Sequence, residues 1–213
     1  MTVRVVLVDD HPIVISGIRA ALPKEPSIEV VGQAGSLAEA RHVLSTTPCD
    51  VVLLDLRLPD GSGIELLDEY RDLEGPAFLV LSSFLNEEYV SAAVALGASG
   101  FLLKTGPVDE LIASINQVAG GGLSFTADQL RASRRAVWAP LTEREHHVLR
   151  GVLAGRSNDE IAGDLTVSRK TVEAYLSRLF ARFGVITRTE LAVYVEREQL
   201  LDLPTSPTRR ANR

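Results

Sequence analysis

Apolar residues in the first half of the chain gather in short runs, and most runs stop at a polar group. Val3 to Val8 is a β-branched run that stops at Asp9 and Asp10. Ile28 to Gln33 follows, and then Val51 to Leu54, which stops at Asp55. Ala77 to Leu81 stops at Ser82, and Gly100 to Leu103 stops at Lys104. Between the runs lie stretches with apolar positions at helical spacing, such as Pro12 to Leu22 and Leu37 to Leu44. Continuous apolar strands alternating with amphipathic helices predict a parallel sheet covered on both faces. The expected fold of this half is therefore a doubly wound, five-stranded parallel α/β domain. Its functional residues should lie at the carboxyl ends of the strands.

The second half shows helical periodicity alone. Leu141-Thr142-Glu143-Arg144-Glu145 reads as a helix start, with Thr142 as N-cap and Glu145 three residues on. Val148, Leu149, Val152 and Leu153 continue as an apolar stripe, and Gly155 stops it. Ser157 and Glu160 cap a short second helix that runs to Leu165. Ser168 begins a third, carrying Val172, Leu176, Leu179 and Phe180 and closing at Phe183-Gly184-Val185. A fourth runs from about Arg188 to Glu198. A short helix, a tight turn and a longer helix form a helix-turn-helix, here within a four-helix all-α domain. The third helix carries Arg169, Lys170, Arg178 and Arg182 against one acid, Glu173. Such a helix can lie in a DNA major groove with its cations on phosphates. On charge alone, an amphipathic helix with solvated cations is the better reading.

Charge separates the two halves. Residues 1–140 hold 10 Lys+Arg against 18 Asp+Glu, a balance of −8, and residues 141–213 hold 12 against 10, a balance of +2. Two modules with different partners follow from that split. Ala119-Gly120-Gly121-Gly122 breaks the helical pattern between them, and Trp138-Ala139-Pro140 precedes the second module. The boundaries read as 1–119 for the first domain, 120–140 for a linker with a helical piece at Ala127 to Arg135, and 141–200 for the second domain. Residues 201–213, rich in Pro, Thr and Arg, read as a flexible tail. Trp138 is expected to dock the linker.

Length and composition bound the rest. At roughly 150 residues per domain, 213 residues make one large domain or two small ones. The 46% hydrophobic and 23% charged content is that of a folded globular protein. The apolar runs are too short to span a membrane, and no signal-peptide pattern opens the chain. A single cysteine, Cys49, rules out an internal disulfide and a cysteine metal cage. A cytoplasmic protein is the expectation.

Asp9, Asp10 and Asp55 would repel one another if they converge on one crevice. A divalent cation relieves that repulsion, and all-oxygen ligation suits Mg²⁺. Asp55 could then attack a phosphoryl group as a carboxylate nucleophile, with Lys104 and the Ser82 hydroxyl on the transferred oxygens. The bland alternative has the aspartates capping the helices that follow. It accounts for Asp9 or Asp10 alone but not for the whole set in register.

Residues 3–119 resemble the receiver domain of two-component response regulators. The resemblance rests on Val-Asp-Asp-His-Pro at 8–12, Asp-Leu-Arg-Leu-Pro-Asp-Gly at 55–61, Leu-Ser-Ser at 81–83 and Phe-Leu-Leu-Lys at 101–104. It implies a flavodoxin-like fold, Asp55 as phosphoacceptor, and a Mg²⁺ site made by Asp9, Asp10, Asp55 and the main-chain carbonyl of Arg57. It also implies Ser82 and Phe101 as the switch pair and Lys104 as the phosphate-binding lysine. Phosphorylation is then expected to pull Ser82 inward, to let Phe101 rotate with it and to remodel the face built by helix 4, strand 5 and helix 5. Ser82 and Phe101 stand where many relatives have Thr and Tyr.

Residues 141–198 resemble the LuxR-type helix-turn-helix of NarL/FixJ response regulators. Here the resemblance rests on Leu-Thr-Glu-Arg-Glu at 141–145, Gly-Arg-Ser-Asn-Asp-Glu-Ile-Ala at 155–162, Val-Ser-Arg-Lys-Thr-Val-Glu-Ala-Tyr at 167–175 and Arg-Thr-Glu-Leu at 188–191. It implies that Glu173, Ala174 and Ser177 face the groove; Lys170, Thr171 and Arg178 are expected at phosphates, and Arg169 is expected among the DNA-binding residues. Glu173 and Ser177 stand where a lysine is often found, and Glu173 is suited to accept from cytosine N4. The resemblance further implies a histidine kinase as partner and double-stranded DNA, as an inverted repeat, as target. It implies a homodimer built through Leu191, Ala192 and Val195 of the fourth helix, whose bland role is to complete the core. An unphosphorylated, closed form with the receiver over the recognition helix completes the expectation. The chain is expected to be a transcription regulator and not an enzyme. An aspartate-nucleophile phosphatase would need a second acid where Arg57 stands, and no P-loop or dinucleotide loop is present. A ligand-gated regulator of the same fold is the remaining rival, and the intact Asp9, Asp10, Asp55 and Lys104 set argues against it.

Overall fold

The computed structural model describes residues 2–22, 27–135, 139–198, 200–202 and 205–206. Its contacts divide the chain into two units, Met1–Trp138 and Ala139–Arg213. Trp138, expected to dock the linker, lies outside the described residues.

The first unit is built on five parallel strands. They are β1 (Val3–Val8), β2 (Ile28–Ala34), β3 (Val51–Asp55), β4 (Ala77–Ser82) and β5 (Gly100–Leu103), in the spatial order β2-β1-β3-β4-β5. The strand order reverses between β1 and β3, where the doubly wound fold opens its crevice. Both faces are covered, as the apolar runs require. Val5, Leu7, Leu53 and Leu79 pack on one face with Ile15 and Ile18 of helix α1 (Pro12–Ala21) and Ile115 and Val118 of α5 (Val108–Ala119). The alternate residues Val6, Val8, Val52, Leu54 and Val80 are just as buried. Helices α2 (Leu37–Thr46), α3 (Gly63–Tyr70) and α4 (Glu87–Ala95) also belong to the unit.

Local chemistry fixes where those helices begin. Ser36 caps α2 by accepting from the Glu39 N–H. Asp60 adds a second cap, accepting from the N–H groups of Leu37 and Ala38 at 2.7 and 3.0 Å. Ser62 and Glu65 form a capping box on α3. Gly63 opens that helix because a Cβ there would stand 2.2 Å from the Asp55 carbonyl oxygen.

Residues 120–135 differ from the linker expected of them. Ser124 bridges to Gly100, and Ala127–Arg135 forms helix α6, which packs on α4. The buried Gln129 donates to the Phe101 carbonyl at 3.1 Å, and Phe101 N–H donates to Ser124 at 3.1 Å. This segment is part of the first unit because its polar groups complete the hydrogen bonding of β5.

The second unit holds α7 (Glu143–Leu153), α8 (Asn158–Leu165), α9 (Arg169–Phe183) and α10 (Arg188–Glu198). Thr142–Glu145 and Ser157–Glu160 form the two capping boxes read from the sequence. Thr166 takes the left-handed conformation (φ 54°) at the end of α8 and turns the chain into α9. Val148, Leu149, Ile161, Val172, Leu176, Leu179, Leu191 and Val195 form the core. Leu200 closes the second domain as bounded from the sequence, and the described tail residues Leu201, Asp202, Thr205 and Ser206 follow it. Thr205–Ser206 pairs in parallel with Leu141–Thr142, Leu200 is fully buried, and the Leu201 carbonyl lies 2.8 Å from His146 Nε2. A buried leucine and satisfied backbone groups hold these residues to the unit, and the rest of the tail lies outside the described residues.

Candidate functional site

The carboxyl ends of β1, β3, β4 and β5 bring their polar residues to one crevice. Asp9 and Asp10 follow β1, Asp55 ends β3, Ser82 ends β4, and Lys104 follows β5. The side chains of Asp9 and Asp55 are 5% exposed and that of Lys104 is 6% exposed. Lys104 Nζ lies 2.6 Å from Asp55 Oδ2 and 2.7 Å from Asp9 Oδ2. The Asp9 contact is charge pairing without an aligned hydrogen bond, so Asp9 Oδ2 keeps unused acceptor capacity in a buried place. Burial holds the Asp55 carboxyl above the usual carboxylate range. Lys104 opposes that rise by hydrogen bond and charge, and the Asp9 charge adds to it.

His11, part of the Val-Asp-Asp-His-Pro motif, joins the cluster. Its Nδ1 lies 2.7 Å from Asp10 Oδ1, 3.0 Å from Asp9 Oδ1 and 3.7 Å from Asp55 Oδ2. Ligand atoms of Asp9, Asp10, His11 and Asp55 all fall within 4.8 Å of one another, a group able to hold a metal ion. The signal was present, since a residue one step beyond two crevice aspartates follows them in. The Arg57 N–H donates to Asp55 Oδ1 at 3.3 Å, and its guanidinium lies 5.6 Å from the centre of the exposed Phe84 ring.

Ser82 and Phe101, the residues expected to form a switch pair, differ in their surroundings. Ser82 Oγ donates to the Phe84 carbonyl at 2.9 Å, within the loop after β4. Phe101 is 1% exposed, its ring buried within the first unit. The Phe101 main chain is tied to Ser124 and Gln129, residues that no apolar pattern singled out.

In the second unit, α9 turns one stripe to solvent. Lys170, Glu173, Ala174, Ser177 and Arg178 are exposed, Arg169 is exposed beside them, and Thr171 is half-buried. Thr171 shares a 2.8 Å hydrogen bond with the N-cap Ser168. Arg178 stacks on Tyr175 at 4.6 Å. Arg169 bonds Glu173 at 3.0 Å and Asp159 of α8 at 3.3 Å.

The dimer residues read from α10 require a correction. Leu191 and Val195 are 0% and 1% exposed, because that face of α10 closes the core against α7 and α9. Only Ala192 of the three is partly exposed, and the outward face carries Val193 instead. Cys49 is a packed thiol, pushed up to about 11 by burial.

Comparison with known proteins accords with both units. The pattern of the response regulator receiver domain matches residues 5–116, and that of the bacterial regulatory proteins of the luxR family matches 139–195. The chain is 36% identical over 197 residues to the transcriptional regulatory protein MctR of Rhizobium johnstonii, covering 90% of this chain and 92% of MctR. It is 36% identical over 206 residues to the DNA-binding transcriptional activator DevR/DosR of Mycobacterium tuberculosis, covering 90% and 93%. Among solved structures, RcsB of Salmonella enterica serovar Typhimurium, bound to a promoter in the presence of a phosphomimetic, is similar. It superposes with a TM-score of 0.69 at 27% identity, covering 92% of this chain and 98% of that one. No helix among the described residues is long and apolar enough to cross a membrane. With a receiver pocket at the strand ends of one unit and a capped helix-turn-helix in the other, the chain belongs to the NarL/FixJ-type response regulators, phosphorylation-dependent DNA-binding regulators whose only chemistry is their own phosphorylation and dephosphorylation.

Proposed function

We propose that Asp55 is the phosphoacceptor. The observation that carries this is the buried triad in which Lys104 Nζ reaches both Asp55 and Asp9. An Asp55 oxygen attacks the phosphorus of a phosphohistidine on a partner histidine kinase. The P–O bond forms as the P–N bond breaks, and the imidazole leaves. Lys104 then pairs with a phosphoryl oxygen, and the Ser82 hydroxyl leaves the Phe84 carbonyl to donate to another. Because Phe101 is already buried, Ser82 and the loop it bonds are the parts that move.

Asp9, Asp10, Asp55 and the Arg57 main-chain carbonyl would hold Mg²⁺. The donor set fits that ion through its carboxylate oxygens, the unused acceptor capacity of Asp9 and the burial strain on ionised Asp55. When bound, Mg²⁺ supplies positive charge for the oxygens of the transferred group. The receiver extends through α6, and the DNA-binding unit starts near Ala139. Phosphorylation shifts the protein from a closed form toward a homodimer that binds an inverted repeat in the cytoplasm. Arg169, Lys170, Thr171 and Arg178 lie at the phosphates, and Glu173, Ala174 and Ser177 at the base edges.

The test is intact mass after incubation with Mg²⁺ and a small phosphodonor, beside an Asp55→Asn variant. A gain of one phosphoryl group in the parent alone is expected. No gain from either the donor or a kinase would move the reading to a ligand-gated regulator.

A further inference from the structure

The exposed stripe of α9 is unusual in what it offers to a base edge. Its border cations, Lys170 and Arg178, are donors. Between them stand Glu173, Ala174 and Ser177. The Glu173 carboxylate is an acceptor only. The Ser177 hydroxyl donates to the Glu173 carbonyl at 2.9 Å, one turn back along its own helix, and so presents lone pairs outward. Ala174 presents a methyl group. The centre of the stripe therefore carries acceptors and an apolar contact.

The Glu173 carboxylate is also held. Arg169 Nε donates to Glu173 Oε1 at 3.0 Å, and Arg169 Nη1 reaches Asp159 at 3.3 Å. One guanidinium thus ties Glu173 to the first turn of α8 and offsets a negative charge that DNA phosphates would otherwise repel. The second Glu173 oxygen remains to receive a hydrogen bond.

Major-groove chemistry narrows what can meet that oxygen. Guanine shows N7 and O6, adenine shows N7 beside its amino group, and thymine shows O4. Each sets an acceptor against a carboxylate. Cytosine presents its N4 amino group and no acceptor.

We propose that Glu173 sets the base preference of this regulator by selecting a cytosine in each half-site, with Arg169 as its positioning residue and Ala174 beside it for a thymine methyl. The inference rests on the reading of α9 as the recognition helix.

The test uses the full chain, phosphorylated or activated with beryllofluoride. Bound duplexes are selected from a pool with a randomised core, and affinities are then measured on duplexes that differ at single base pairs. The parent should select cytosine at one pair per half-site, by about tenfold over the other bases. Glu173→Gln should move that preference to adenine, because an amide matches adenine N6 and N7. Glu173→Ala should level the preference at that pair, chiefly by losing affinity for the cytosine duplex. Arg169→Ala should weaken the cytosine preference beyond its general loss of affinity, and Arg169→Lys should restore part of it. A phosphate role alone would lower affinity equally for every base. Identical preferences in the parent and Glu173→Gln would overturn the proposal while leaving α9 as a DNA-binding helix. Failure of every variant to bind any duplex at low salt would overturn the recognition-helix reading itself.

Discussion

Replacing Lys104 by methionine removes a cation that two buried carboxylates share, while keeping most of the side-chain volume. Lys104, Asp9 and Asp55 are each no more than 6% exposed, so little solvent screening softens the loss. Breaking a buried ion pair by removing one partner costs about 3–5 kcal/mol. At roughly 3–5 °C per kcal/mol for a unit of this size, that is about 10–20 °C in the melting temperature of the first unit. Differential scanning calorimetry in metal-free buffer reads the change directly. Adding Asp55→Asn beneath Lys104→Met should recover a large share of the loss, because one of the two stranded charges is then gone. The coupling between the two sites should lie at about 1–3 kcal/mol, as for residues in one charge network. Mg²⁺ added to Lys104→Met should also restore stability, since a bound cation stands in for the lost ammonium. A shift below about 3 °C, or the same loss in the Asp55→Asn background, would refute the coupling of these charges.

Other outcomes follow from the same structure. Gly63→Ala places a Cβ 2.2 Å from the Asp55 carbonyl oxygen and 3.1 Å from Leu56 Cα. It should cost about 1–3 kcal/mol in denaturant titration and slow phosphoryl incorporation by displacing Asp55. Gln129→Ala leaves the buried Phe101 carbonyl without its donor, costing about 1–3 kcal/mol, and should speed amide exchange across β5 and α6. The raised Asp55 carboxyl also sets a sign for pH. Ionising it costs more in the folded chain than in the unfolded one. Its contribution is thus fully present below the ordinary carboxylate range and is lost as pH rises through the raised value. In urea titrations without metal, the parent should lose stability relative to Asp55→Asn across that window, and a flat difference would count against the burial effect. Lys170→Ala should lower the slope of log affinity for DNA against log salt by about 2 per bound dimer, about 1 for each half-site, read by fluorescence anisotropy.

The parts legible in the sequence are those with a local signature. Apolar runs located the strands, most plainly β3, which is buried along its whole length, and least plainly β2, where Glu29 and Gln33 break the run. The strand-end rule then brought out Asp9, Asp10, Asp55, Ser82 and Lys104, since the fold places carboxyl ends of strands together. Both capping boxes of the second unit were equally plain. What escaped depends on which surface opposes which. Leu191 and Val195 look alike as core or as dimer contacts, and only the packing of α10 on α7 and α9 decides between them. The docking of α6 was hidden because the helix is polar, and it is held by Gln129 and the main chain of Ser124. Asp60 sits in a quoted motif, yet its caps on Leu37 and Ala38 bridge more than twenty residues of chain.

The placement of α6 has a consequence for the outermost strand of the sheet. β5 has a neighbour on one side only, β4. On its open side, Phe101 N–H donates to Ser124, Gln129 donates to the Phe101 carbonyl, and Ser124 N–H donates to the Ser99 carbonyl. An open strand rim of this kind is a template for pairing with another chain. Residues 120–135 shield it with the protein's own backbone and amide groups. A receiver cut after Ala119 would bare that rim along with the face of α4 now under α6. The excised piece would then tend to self-associate strand to strand, whatever the state of Asp55. Its boundary for independent solubility lies after α6, sixteen residues beyond the last helix that the flavodoxin-like fold itself needs.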